Sequence, residues 1–254
     1  MPGPLSAEQL ARFDTDGYLL LRGMVVAADC ERMLAVTREH LARAVPPLEY
    51  EAEVGYAGAP TSRAAPGGHT ARRLRNAWQR DPSFHDWAAD PRLAALLRQL
   101  LREPAVLSLA HHNCVMTKHP DFGTATGWHR DIRYWSYTRP DLVSVWLALG
   151  HEDVDNGALK FIPGSHRIPL APGQMDALDF LRPEVAENQA LFARGVSPVL
   201  ECGDVVLFHS KLFHAAGRNT SSRMKASVVF AYRGESNMPV AGSRSAAAGE
   251  VELG

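Results

Sequence analysis

Gly127-Trp128-His129-Arg130-Asp131 is a His-x-Asp set in a segment, 128–135, that reads as β-strand. Side chains alternate faces along a strand, so His129 and Asp131 point one way and Arg130 the other. An imidazole and a carboxylate one pleat apart can chelate a single metal ion. One further histidine completes a two-His-one-carboxylate face with adjacent positions left open, the arrangement that non-haem Fe(II) oxygenases use. Two downstream residues compete for that place: His214, just past a predicted strand at 204–209, and His209, which lies inside that strand and could be a packed histidine. The plain reading of His129 and Asp131 is a hydrogen-bonded pair at a strand end. His111, His112, His119, His151 and His166 read by default as loop or satisfied interior histidines.

Around this stretch the pattern is strand-rich. Runs at 106–117, 128–135, 142–149, 158–162, 197–200, 204–209 and 224–232 are broken by turns such as Asp155-Asn156-Gly157 and Pro163-Gly164-Ser165, with a helical pass around 174–194. Helices come first. Ser6 caps one from Ala7 to about Asp14, Asp29 starts another through about Arg43, and Asp90-Pro91 introduces a third ending at Leu101. A short apolar strand, Tyr18-Leu19-Leu20-Leu21, lies between the first two. This order predicts a mainly β fold with flanking helices, a barrel or double-sheet jelly roll. In 142–149 Val143, Val145, Leu147 and Leu149 share one face, and Leu142, Ser144, Trp146 and Ala148 the other. In 223–232 Arg223, Lys225 and Ser227 oppose Met224, Ala226, Val228, Phe230 and Tyr232. The more polar sets suit a barrel interior that holds a polar ligand, and the apolar sets suit packing against helices.

At 254 residues the chain suits one large domain, placed here at 1–235, with 236–254 as a flexible C-terminal tail. The Pro-, Gly- and Ala-rich stretch 46–70 has no clear period and reads as a mobile lid in preference to a linker. A formal net charge of −1 and a pI near 6.8 argue against nucleic-acid or anionic-membrane partners and leave a small-molecule substrate. Three separated cysteines, Cys30, Cys114 and Cys202, without CxxC spacing read as reduced thiols, and no apolar run approaches a membrane span. A soluble cytoplasmic protein is expected.

Two further groups of residues bear on chemistry. A 2-oxoglutarate cosubstrate leaves a distal carboxylate to be fixed, and Arg223, at the start of the last strand, could grip it bidentately. Lys225 on the same face is a rival, and Arg218, in the turn, is less well placed. After the His-x-Asp come Arg133, Tyr134, Trp135 and Tyr137, one cation and several aromatic faces that suit an anionic or ring-bearing substrate. Trp135 and Tyr137 could equally pack the barrel wall. A coenzyme A site should show clustered cations, and only Arg130, Arg133 and Arg139 lie nearby, without a Gly-rich cradle.

The motifs Phe13-x-x-x-Gly17-Tyr18-Leu19, Trp128-His129-x-Asp131, Gly157-Ala158-Leu159-x-x-Ile162-Pro163-Gly164-Ser165-His166, Gly203-Asp204-x-x-Leu207-Phe208 and His214-Ala215-Ala216-Gly217-x-Asn219-x-Ser221-x-Arg223 run in this order along nearly the whole chain. In these the chain resembles the phytanoyl-CoA dioxygenase family of Fe(II)/2-oxoglutarate oxygenases. The resemblance implies a double-stranded β-helix (jelly-roll, cupin-like) core. It implies His129, Asp131 and His214 as iron ligands in preference to His209, and Arg223 as the anchor of 2-oxoglutarate. Trp146 would line the cosubstrate pocket, His112 and Lys118 would fall on its bordering strand, and Arg73 would be the upstream basic contact. The cofactors implied are Fe(II), 2-oxoglutarate and O2. Departures are Arg130 where relatives often carry Gln, and Ala216 where a small hydroxyl residue is expected. The expected activity is oxidation of a C–H bond, by hydroxylation or otherwise, in a small polar metabolite of specialised metabolism. An acyl-CoA hydroxylase of the same family and a non-catalytic binding module on the same fold are the alternatives, and the Asp131 ligand speaks against a halogenase.

Overall fold

The computed structural model describes residues 3–253, in which a large and a small antiparallel sheet enclose a cavity. Ser6 opens helix α1 (Ala7–Asp16) with a reciprocal capping box to Gln9, and Gly17 ends it in the left-handed conformation. Strand β1 (Tyr18–Leu21), helix α2 (Ala27–Ala42) and strands β2 (Leu48–Tyr50) and β3 (Ala71–Arg75) follow. Helices α3 (Ala77–Arg80), α4 (Pro82–Ala88) and α5 (Pro91–Leu101) come next, the last two started by Asp81 and Asp90 caps with Pro at the first helical position. The remaining elements are β4 (Ala105–Lys118), β5 (Thr126–His129), β6 (Leu142–Ala148), β7 (Leu159–Phe161), α6 (Ala186–Phe192), β8 (Val205–His209), β9 (His214–Ala216), β10 (Lys225–Gly234), α7 (Arg244–Ala248) and β11 (Glu250–Glu252). The large sheet runs β1-β8-β6-β10-β4-β3-β2 with β11 also paired to β4, and the small one runs β5-β9-β7. This is the expected double-stranded β-helix with flanking helices.

Alternation along β6 and β10 sorts the core into two layers. Val143, Val145 and Leu147 with Val228, Phe230 and Tyr232 pack outward on Met33 of α2 and Leu93 and Leu97 of α5. Trp146, Ala148 and Val229 face inward with Phe208 and meet Leu159 and Phe161 of the small sheet. Each fully buried Val, Leu or Phe among these contributes about 1.5–3 kcal/mol by the area it removes from water. The inner layer opens toward the strands that carry the polar residues of the cavity.

Three expected element boundaries are corrected. The strand over 128–135 stops at His129, and Asp131–Tyr134 form a 3-10 turn; Arg130 is still extended, so His129 and Asp131 keep a common face. The stretch 197–200 contributes only a bridge, Leu200 to Glu152, and the helical pass shrinks to Ala186–Phe192, preceded by a tight turn bridged Met175 to Leu181. Within the stretch 46–70, β2 and a 3-10 turn at Glu51–Glu53 pin the start, where buried Arg72 pairs with buried Glu51. Over 236–253, β11 adds to β4 and Glu250 pairs with the buried Arg233; Gly254 lies outside the described residues. No helix among the described residues is long and apolar enough to cross a membrane.

Candidate metal centre and cosubstrate cavity

Strand β5 delivers His129, the turn after it delivers Asp131, and β9, paired to β5 with His129 opposite His214, delivers the third residue. All three are buried, and one ligand atom of each lies within 4.8 Å of the others. Asp131 Oδ1 is 3.6 Å from His129 Nε2 and 3.3 Å from His214 Nε2. Both rings are turned by their other nitrogen, since Nδ1 of His129 donates to the Gly127 carbonyl at 2.9 Å and Nδ1 of His214 to that of Leu212 at 3.0 Å. A carbonyl only accepts, so each neutral ring carries its hydrogen on Nδ1 and aims the Nε2 lone pair at the same point. His209 is outside this group; its Nδ1 accepts from the Lys211 backbone and its Nε2 faces Asp141.

Asp131 is held from behind. The Ser144 hydroxyl donates to Oδ2 at 3.1 Å, and His112 Nδ1 stands 3.5 Å from the same oxygen. His112 reaches it because β4 bulges where Phe230 pairs with Asn113 and Ala231 with Ser108, with His111 at a left-handed φ of 58°. Oδ1, by contrast, is buried without a hydrogen-bond partner. Burial alone would raise the Asp131 pKa, but His112, His214 and His129 together hold it far below the ordinary carboxylate range. Burial, reinforced by His214, keeps His129 neutral, whereas the Asp131 carboxylate overcomes burial at His214 and raises it. A buried carboxylate oxygen without a donor and two convergent imidazole lone pairs fit a divalent cation with open positions, the facial-triad donor set.

Beyond the triad the cavity has an apolar wall, with Met116, Leu159 and Phe208, and four cations. Arg72 Nη1 lies 3.2 Å from Glu51, and Arg73 Nε lies 3.2 Å from Glu49 while its Nη1 donates to His111. Lys225 Nζ is 3.1 Å from Glu152, which is fully buried and also accepts from Ser227 and Trp146 Nε1. Lys118 Nζ finds only the Gly217 carbonyl, and burial, with Lys225 and Arg72 nearby, pushes its pKa well down. Lys225 is thus paired with a carboxylate and Lys118 is not, a local imbalance that a bound anion corrects.

Of the residues singled out in the sequence, His129, Asp131, His214, His112, Arg73, Trp146 and Tyr134 line this cavity together with Lys118 and Ala216. Arg223 does not: it is exposed, in a bend before β10, beside a surface groove with Arg38 and Ser222. Strand alternation put it on the face of Lys225, but the strand begins only at Lys225. Trp135 is buried in a separate cluster with Ala110 and Leu142, its Nε1 donating to the Ala110 carbonyl, so it packs the wall. Arg133 is not among the lining residues; its guanidinium lies over the Phe180 ring. Sequence reading missed Tyr56, Arg72, Glu152 and Phe180. Arg72, a neighbour of Arg73 in an otherwise alternating run, is the only one that carried a visible signal.

Residues 13–227 match the family model "Phytanoyl-CoA dioxygenase (PhyH)". The peroxisomal phytanoyl-CoA dioxygenase of Bos taurus is 26% identical over 233 residues, covering 88% of this chain and 67% of the relative. Among solved structures, EctD from S. alaskensis with 2-oxoglutarate and 5-hydroxyectoine superposes with a TM-score of 0.76 at 25% identity, over 93% of this chain and 78% of that one. The epimerase SnoN in complex with Fe3+, alpha ketoglutarate and nogalamycin RO gives 0.73 at 22% identity, over 91% and 84%.

Proposed function

The chain belongs to the phytanoyl-CoA dioxygenase family, and we propose that it hydroxylates a C–H bond of a small polar metabolite at a centre held by His129, Asp131 and His214. It is an Fe(II)/2-oxoglutarate-dependent dioxygenase, with a buried triad that fits iron. The observation that carries the assignment of the centre is the pair of Nε2 atoms converging on the partnerless Asp131 Oδ1. When bound, iron and 2-oxoglutarate supply the oxidising power from O2, with succinate and CO2 as the other products. The chain's own residues do the rest. Gly127 and Leu212 carbonyls fix the ring tautomers, and Ser144 and His112 leave Asp131 one oxygen free. Lys225 and Lys118 would hold 2-oxoglutarate by its distal carboxylate, with Glu152 positioning Lys225 and Trp146 forming the wall. The apolar side chains around them exclude water and strengthen these charge contacts. Free Cys30, Cys114 and Cys202 support a reducing compartment such as the cytoplasm.

The test begins without O2. Metal-free protein given Fe(II) and 2-oxoglutarate should develop a visible charge-transfer band, and in air it should form succinate when a hydroxylatable acid or amine from a metabolite panel is added. Asp131→Ala and His214→Ala should lose both signals, and His209→Ala should keep both. A His214→Ala protein that retains the band and turnover refutes the centre. Coupled turnover of a long-chain acyl-CoA, in place of the small metabolites, refutes the substrate class.

A further inference from the structure

We infer that Arg133 is a specificity residue that receives an anionic group, of carboxylate type, on a substrate whose planar or apolar body lies against Tyr56, Tyr134 and Phe180. This deepens the oxygenase reading above and rests on it. Arg133 sits in the 3-10 turn that begins with Asp131, so the backbone that presents the metal ligand also presents this cation. Its guanidinium carbon lies 4.4 Å from the Phe180 ring centre and 5.1 Å from that of Tyr134. Its Nη1 is buried and has no hydrogen-bond partner among the described residues. Other interior arginines keep an unmade nitrogen too, the Nε of Arg72, Arg73 and Arg130. Each is nevertheless anchored by an acceptor: Arg72 by Glu51, Arg73 by Glu49, Arg233 by Glu250, and Arg130 by the Ser165 and Ile168 carbonyls, whereas the Arg133 guanidinium has no such acceptor among the described residues. Leaving a buried donor unmade costs about 1–3 kcal/mol. A clamp that served only to hold Phe180 would work as well with that nitrogen in water.

The rings around it come from three separate stretches. Tyr56 belongs to the covering segment after β2, Phe180 to the turn before α6, and Tyr134 to the turn of Arg133 itself. Tyr56 meets Phe180 edge-on at 5.1 Å, and its hydroxyl lies 3.2 Å from that of Tyr134. Phe180 and Tyr134 stand 5.5 and 6.2 Å from the His129 ring, next to the metal ligands. The cations for 2-oxoglutarate, Lys118 and Lys225, are on the large sheet at β4 and β10, so the two anions would be read by different residues. Bidentate hydrogen bonding favours a planar carboxylate at a guanidinium, and the aromatic faces favour a ring or flat chain beside it.

Thermal unfolding of the metal-free protein tests this without relying on turnover. The probes are 2-oxoglutarate and a set of carboxylates (cinnamate, indole-3-carboxylate and 4-hydroxyphenylacetate), each paired with its neutral carboxamide. At least one carboxylate should raise Tm by about 3 °C or more while its amide does not. Arg133→Gln should lose that difference and Arg133→Lys should restore part of it, while Phe180→Leu should weaken binding but keep the preference for the charged form. Equal shifts from acid and amide, a full carboxylate shift in Arg133→Gln, or no carboxylate shift at all would each overturn the proposal. The shift produced by 2-oxoglutarate itself reads the cosubstrate cavity, so failure there is distinguishable from failure at Arg133.

Discussion

Two positions apart in sequence, Arg223 and Lys225 have opposite fates, exposed in a bend and buried on a strand. Lys225 is held by Glu152 and Ser227 at the cavity wall, with Lys118 on the neighbouring strand β4 also lining the cavity. A charged partner removed from a buried pair leaves the other charge uncompensated, a loss of about 2–5 kcal/mol. Lys225→Ala is therefore expected to raise the apparent KM for 2-oxoglutarate at least about tenfold, and Arg223→Ala to leave it within about twofold. Steady-state kinetics with varied 2-oxoglutarate at saturating iron decides between them. A larger effect from Arg223→Ala would return the anchor to the position the motif suggests.

At the scale of elements, the junction of α1 and β1 shows how tightly the small connections are built. Gly17 has a φ of 80°, and a Cβ there would come within 2.5 Å of His166 Nδ1 and 2.8 Å of Leu212. That close approach is available only to glycine. His166 in turn donates from Nε2 to the Asp14 carbonyl and is buried by the packing. Burial, with His209, Arg167 and Lys211 as neighbours and the Asp14 carbonyl opposing, lowers its pKa to about 4. The unfolded chain takes up this proton near 6.5 and the folded one only near 4, so the contribution to stability is whole above 6.5 and is lost as pH falls toward 4. Tm should fall across that window, and His166→Gln should flatten the fall relative to the parent. Parallel acid profiles for the two proteins would show that His166 does not carry this dependence.

For the whole molecule, the closing stretch is part of the sheet. Strand β11 covers β4 at Val106–Ser108, and Glu250 binds the Arg233 guanidinium through both oxygens at 2.6 Å. Tyr137 joins the same carboxylate, and Ser245 holds the backbone of Ser136. A chain ending at Glu235 loses β11 and leaves the Arg233 charge buried without its carboxylate, a loss of about 3–5 kcal/mol. Its urea midpoint should drop accordingly, whereas Glu250→Gln should lose only part of that. An unchanged midpoint in the truncated chain would mean that this segment is dispensable to the fold.

Read from the sequence alone, much of this protein was already determined by local rules. Period-two alternation sorted β6 and β10 into helix-facing and cavity-facing sets, caps and prolines marked the helix starts, and His129-x-Asp131 supplied two members of the triad that the fold gathers, the family resemblance choosing His214 over His209 as the third. These succeed because strand pleat, capping and ligand type depend on a few adjacent residues. The tertiary structure decided what depends on contacts between distant stretches. It ended β5 at His129, bulged β4 so that His112 could reach Asp131, and set Lys225 in place of Arg223 at the cavity. It brought Tyr56, Phe180 and Arg133 together from segments without a readable period, and tied the closing residues to β4. None of these pairings is encoded by neighbours in the chain, because the energy that selects each one comes from burial and charge compensation that exist only once the sheets have closed.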